Sequence, residues 1–333
     1  MHPHSERSVM RYKKLGTSGL EISEVALGMM SFGESATGAH TWTLSLDESR
    51  ELIRLALESG ITTFDTANIY SGGSSEEVTG TILKELAQRE SVQIATKAYN
   101  PMRQGPNTLG LSRAALFTEI DASLRRLQTD YVDLYQIHAF DPTTPMEETM
   151  EALNDIVRSG KARYIGASNL SAWQFSEIQN IAERHGWAKF ISAQSQYNLL
   201  AREIERELVP YVQHAGVGVI PWSPQARGRL TRPWGSAATN REQNDIFGST
   251  LYSSTEESNA AIVSAVSTVA EDRGVSMAQI ALAWVSNKSY VSAPIVGATK
   301  PRHIEDAIAA VEIALTDDEV AALEAAYTPR NPF

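Results

Sequence analysis

The chain has 333 residues, 42% of them apolar and 21% charged, with a formal net charge of −11 and a pI near 5.2. That acidity argues against nucleic acid or an anionic membrane as a partner, and the absence of cysteine excludes disulfides, thiolate nucleophiles and Cys-ligated metal. No run of about 18 consecutive apolar residues occurs, so no membrane span is expected, and a cysteine-free chain of this kind fits a cytoplasmic setting.

Residues 1–10 are polar and His-containing, with no apolar signal core, and are expected to form a flexible tail. Residues 11–333 read as one domain. Arg11 to Glu24 carries a Thr17-Ser18-Gly19 turn between two short extended runs, which predicts a hairpin able to plug one end of a barrel. Eight apolar runs then predict strands at Val25–Met29, Thr62–Thr66, Val92–Lys97, Val132–Ile137, Tyr164–Ser168, Ile191–Gln196, Val217–Trp222 and Ala293–Gly297. Amphipathic stretches alternate with them, and near-continuous apolar strands of this type lie parallel under a cover of helices. Capping boxes at Ser45/Glu48, Ser171/Gln174 and Thr316/Glu319 mark helix starts. Gly60 and Gly160 mark stops. Gln225 to Asn259 is long and rich in Gly, Ser, Thr and Asn, the composition of a functional loop. Met277–Asn287 and Asp317–Tyr327 predict helices outside the repeat. The expected fold is α/β, a single (β/α)₈ barrel with an N-terminal hairpin and extra helices.

Four polar residues fall at or just beyond the carboxyl ends of these strands, where a barrel gathers them at one mouth. They are Asp65 and Tyr70 in F-D-T-A-N-I-Y, Lys97 in I-A-T-K and His138 in L-Y-Q-I-H. Reducing a carbonyl requires a proton donor for the oxygen that becomes an alkoxide. A phenol with a reference pKa of about 10 remains protonated at neutral pH. A neighbouring ammonium eases its ionisation, so Tyr70 suits the acid and Lys97 its partner. Asp65 can hold Lys97 charged and oriented, and His138 can donate to the substrate oxygen.

The set F-D-T-A-x-x-Y, A-T-K and D-L-Y-Q-I-H resembles the aldo-keto reductase signature. Further motifs follow in the family's order: Y-I-G-A-S-N-L, S-A-Q-S-Q-Y-N-L-L, I-P-W-S-P and P-I-V-G-A-T-K-P. The overall pattern is most similar to the bacterial branch that includes the YajO-like reductases, related to potassium-channel β subunits. The resemblance implies NADP(H), with NADPH preferred over NADH. It implies that Ser168, Asn169 and Gln194 hold the nicotinamide carboxamide and that Trp222 stacks on the ring. It places Ser223, Pro224, Gln225, Arg227, Gly228 and Arg229 around the pyrophosphate. Gly297, Thr299, Lys300, Arg302 and His303 would lie by the adenosine 2′-phosphate, at a helix start suited to an anion. Asp306 would contact adenine. Ala307, Gln225 and Thr299 depart from residues common in the family.

The expected activity is reduction of an aldehyde or ketone to an alcohol. A moderately hydrophobic small molecule would sit against Met29, Met30, Phe32, the loop from Tyr99 to Gly110 and the chain end near Phe333. No metal is expected, since His138 has no second His at ligand spacing on its strand. The rival reading is a slow-turnover NADP(H)-binding regulatory subunit. Assembly into an oligomer is compatible with either reading.

Overall fold

The computed structural model describes residues 10–36, 41–236, 244–252 and 256–329. A two-stranded antiparallel hairpin, β1 (Tyr12–Lys14) and β2 (Glu21–Ser23), precedes an eight-stranded parallel sheet. The sheet comprises β3 (Ala26–Gly28), β4 (Thr63–Asp65), β5 (Gln93–Ala98), β6 (Val132–Ile137), β7 (Ala162–Ser168), β8 (Phe190–Gln194), β9 (Gly218–Val219) and β10 (Ile295–Gly297). All eight fall where the apolar runs predict strands. The first seven barrel strands pair in sequence order, and β10 pairs with β3. Bridges from Val219 to Val291 and from Trp222 to Ile295 close the ring.

The hairpin seals the amino-terminal end of the barrel, as expected. Leu15 and Ile22 pack with the inward-facing Ala26, Ala95, Leu134, Ile220 and Ile295. Residues 1–9 of the expected tail lie outside the described residues. Met10 does not belong to a tail: it is 5% exposed and its side chain joins the main core, facing Gly60. An apolar side chain with a core site within reach is buried rather than left in solvent.

The three expected capping boxes form, and a fourth at Ser276/Gln279 starts the helix Met277–Ser286. The region expected as a long loop is more ordered than its composition suggests. It contains a helix at Ile246–Tyr252, and a second, Glu256–Arg273, begins within it; residues 237–243 and 253–255 lie outside the described residues. Its order comes from packing. Ile262, Val263, Val266 and Val269 recur at helical spacing and join Leu230, Leu251, Tyr252 and Trp284 in a second apolar cluster beside the barrel.

The ladder register prepares the site. Gly28 lies beside Asp65, Lys97 beside Gln136, and Ser168 beside Gln194. Neighbouring strands are about 4.8 Å apart, so polar side chains that face inward from them meet directly.

Candidate active site

Asp65 ends β4, and Lys97 lies on β5. Both are buried, and Lys97 is 0% exposed. The Lys97 ammonium donates to Asp65 Oδ2 at 2.6 Å and to the Thr66 carbonyl at 2.8 Å. Burial alone pulls the Lys97 amine down, but the Asp65 carboxylate and the Tyr70 hydroxyl outweigh it, and its pKa lies above the ordinary lysine value. Asp65 Oδ1 accepts from Gln136 Nε2 at 3.1 Å and from Gln194 Nε2 at 3.0 Å. The carboxylate therefore has three side-chain donors, as a buried charge requires.

Tyr70 begins the turn Tyr70–Gly73 after β4, in which Ser71 takes a positive φ of 47°. The Lys97 ammonium stands 5.1 Å from the Tyr70 ring centroid. Burial raises the Tyr70 pKa, Lys97 opposes the rise, and the net shift is upward. The His138 ring meets Tyr70 edge-on, with centroids 5.8 Å apart. Burial and then the Lys97 charge lower the His138 pKa to about 3, so its imidazole is neutral near pH 7. Its Nδ1 is buried and has no hydrogen-bond partner among the described residues. This arrangement provides a protonated phenol and a neutral imidazole side by side.

Asp65, Tyr70 and His138 face a cavity of about 350 Å³ that Ser168, Asn169, Gln194, Trp222 and Met30 also line. Lys97 stands behind it. Asn169, at φ 59°, donates to the His138 carbonyl at 3.1 Å and to Ser168 Oγ at 3.0 Å, and its Oδ1 accepts from the Trp222 indole at 2.9 Å. That bond fixes the plane of the Trp222 ring at the cavity wall.

Ser223, Pro224, Gln225, Arg227 and Gly228 continue the lining, and Gly297 meets it from β10. Ser223, Ala226 and Arg227 all have positive φ, at 53°, 49° and 57°. Such strain in non-glycine residues persists only where the surroundings impose it. Here Asn198 donates to the Ser223 carbonyl at 2.8 Å and to the Tyr252 hydroxyl at 3.1 Å. Arg227 Nε donates to the buried Asp245 at 2.5 Å, and the Arg229 guanidinium lies over the Tyr252 ring at 5.4 Å. Both arginines thus tie the 223–229 turn to the 245–252 segment.

Not every expected residue reaches the cavity. Met29 and Phe32 are 0% exposed and belong to the main core, so they are not substrate walls. At that strand end the lining is Gly28, Met30 and Ser31. Tyr99 is half-buried against the core and does not line the cavity either. Phe333 lies outside the described residues. Thr299, Lys300, Arg302 and His303 gather at the start of the helix Pro301–Val311, apart from the cavity lining; the Thr299 amide donates to His303 Nδ1 at 3.2 Å. Lys300 and Arg302 are exposed there. Asp306 Oδ1 accepts from Ser276 and Gln279, both at 2.9 Å, and so braces a neighbouring helix.

Sequence reasoning missed Gln136, although it stands inside a quoted motif. Strand alternation puts Leu134, Gln136 and His138 on one face, and an inward amide two residues before His138 was the available signal. It also missed the buried Asn68, two residues before Tyr70, which donates to Glu119 at 2.9 Å.

The Aldo/keto reductase family model matches residues 24–328. The chain belongs to the aldo/keto reductase family. It is 46% identical over 341 aligned positions to a versiconal hemiacetal acetate reductase of Aspergillus parasiticus, covering 96% of this chain and 98% of that one. It is 42% identical over 342 positions to a candidate aryl-alcohol dehydrogenase of Schizosaccharomyces pombe, covering 96% of each. It is 39% identical over 344 positions to an aldo-keto reductase of Alternaria alternata, covering 96% of this chain and 92% of that one. This aldo/keto reductase is accordingly an oxidoreductase acting on the C=O/CH–OH pair. Its family works with a nicotinamide cofactor, and the residues fit one: amide-bearing side chains beside an oriented indole, then a strained turn whose positive φ values suit close approach to a ligand. No helix among the described residues is long and apolar enough to cross a membrane. No cluster of three potential metal ligands occurs among them.

Proposed function

We propose that this reductase converts an aldehyde or ketone to an alcohol with NADPH, using Tyr70 as the general acid. NADPH, when bound, supplies the hydride to the carbonyl carbon. The Tyr70 hydroxyl gives its proton to the carbonyl oxygen, and the Lys97 ammonium steadies the phenolate left behind. Asp65 holds Lys97 in place. The neutral His138 donates a hydrogen bond to the same oxygen and sets the angle of the carbonyl; a charged imidazolium would instead compete as the acid. Ser168, Asn169 and Gln194 hold the carboxamide of the cofactor, and Trp222 shields one face of its ring. The 223–229 turn offers backbone N–H groups to the pyrophosphate, with Arg227 and Arg229 adding charge. Thr299, Lys300, Arg302 and His303 receive the 2′-phosphate, with Asp306 near the adenine. Exposed cations at a helix start favour NADPH over NADH.

The observation that carries this reading is the Lys97–Asp65 pair at 2.6 Å with Tyr70 and His138 in front of it, facing one cavity. The substrate is a moderately hydrophobic, aromatic carbonyl compound. The aryl-alcohol dehydrogenase name of the Schizosaccharomyces pombe relative supports the aromatic class. Kinship with the YajO-like and channel-subunit branch rests on the motifs alone, while the relatives described above are fungal reductases or dehydrogenases by name. That favours turnover over a sensing role.

Turnover followed by NADPH absorbance against a panel of aromatic and aliphatic carbonyls tests the reading. The unmodified protein should turn over with NADPH and weakly with NADH. Tyr70→Phe should lose roughly 10²–10⁴-fold in rate while binding NADPH as before. Tight NADPH binding with negligible turnover would favour the regulatory reading.

A further inference from the structure

The Gln136 side chain is 0% exposed at the centre of the barrel and has no part in the chemistry above. Its Nε2 donates to Asp65 Oδ1 at 3.1 Å. Its Oε1 accepts from Gln194 Nε2 at 3.3 Å, and that same nitrogen donates to Asp65 Oδ1 at 3.0 Å. The two amides and the carboxylate form a closed triangle. Both Gln194 protons are thereby used inward. Gln194 lines the cavity, and its side-chain hydrogen bonds among the described residues are both made by Nε2, none by Oε1. Space for this triangle depends on Gly166, where a Cβ would lie 3.3 Å from Gln136 Cγ and 2.0 Å from Ser192 Oγ.

We infer that Gln136 is a positioning residue: it fixes the orientation of the Gln194 amide so that Gln194 presents an acceptor to the cofactor while remaining tied to Asp65. The inference rests on the proposed role of Gln194 in holding the carboxamide. The physical reason is the directionality of a primary amide. Free to rotate by half a turn, Gln194 could offer either a donor or an acceptor. With Gln136 Oε1 and Asp65 Oδ1 both demanding N–H groups, only one orientation satisfies all three residues. Reversing it would set the Gln194 oxygen against a carboxylate in a buried site, which is costly. The carboxamide N–H of the cofactor then meets an acceptor, and that contact connects through one amide to the carboxylate that holds Lys97.

The test compares equilibrium binding of NADP with binding of its acetylpyridine analogue, which lacks the carboxamide N–H groups, read from quenching of tryptophan fluorescence. The unmodified protein should favour NADP by about tenfold, the worth of one well-placed hydrogen bond. Gln136→Met, similar in shape and unable to hold Gln194, should reduce that preference to about twofold or less. Tight NADP binding with no preference in the unmodified protein would remove the assigned role of Gln194 and this inference with it. A preference that survives intact in Gln136→Met would overturn this inference alone and leave the reductase reading standing.

Gln136→Glu supplies a second readout. It sets two carboxyl groups side by side, which resist joint ionisation. Its turnover should approach that of the unmodified protein at acid pH, where the new carboxyl is protonated and can donate. It should fall as pH rises through the raised pKa of the pair. A pH profile parallel to that of the unmodified protein would count against the inference. If neither variant folds, the unmodified protein still decides the matter by NMR: the Gln136 side-chain amide resonances should move on adding NADP more than on adding the analogue, and equal movement would overturn the inference.

Discussion

The acid end of the cavity and the 223–229 turn are built on opposite principles. Asp65, Lys97, Gln136 and Gln194 project from four strands whose relative positions are set by ladder hydrogen bonds. The turn has no ladder. It is held by side chains from elsewhere, chiefly Asn198 and Asp245, and it carries three non-glycine residues at positive φ. The first region is ordered by the fold itself. The second is ordered by contacts that could open separately, as suits the turn proposed to hold the cofactor pyrophosphate.

The contrast predicts that mutations in the two regions fail differently. Lys97→Met should have the largest effect, because it removes the cation from a buried carboxylate. Turnover should fall roughly 10²–10⁴-fold, and urea unfolding should show a loss of about 3–5 kcal/mol. A stability within 1 kcal/mol of the unmodified protein would mean that the acid end is not held as described. Asp245→Asn should leave the chemistry intact. It removes the charge facing Arg227 and should speed NADPH release about tenfold in stopped-flow displacement; an unchanged release rate would erase the distinction between the two regions.

A third effect, read in pH rather than in a rate, concerns His138. Its pKa of about 3 in the fold lies below the ordinary value of 6.5. Between those values the unfolded chain binds the extra proton, so the stability due to this residue is complete above pH 6.5 and is lost as pH falls toward 3. The melting temperature of the unmodified protein should therefore drop more steeply from pH 6.5 to 4 than that of His138→Asn. Turnover should show no histidine limb near pH 6.5, and a clear limb there would place a charged imidazole at the site.

The same division explains what the sequence disclosed. Strand ends in a barrel are legible, because a polar residue closing an apolar β-branched run has few other reasons to be there. Asp65 and Lys97 were visible in that way, whereas Ser168 and Gln194 came only through the resemblance of their motifs. Met29 and Phe32 were misjudged because an apolar residue beside a mouth reads the same whether it faces the cavity or the core. Here the 3₁₀ turn Met29–Ser31 rotates Met30 toward the cavity and Met29 inward. The helix Glu256–Arg273 was partly obscured by the Gly-, Ser- and Thr-rich stretch before it. Asp245 gave no signal at all, since its meaning depends on a partner 18 residues away across an irregular turn.

The sealed floor has a consequence for traffic. With Leu15 and Ile22 wedged across the amino-terminal end, the barrel is a cup rather than a tube. Everything that enters must leave by the rim it came through.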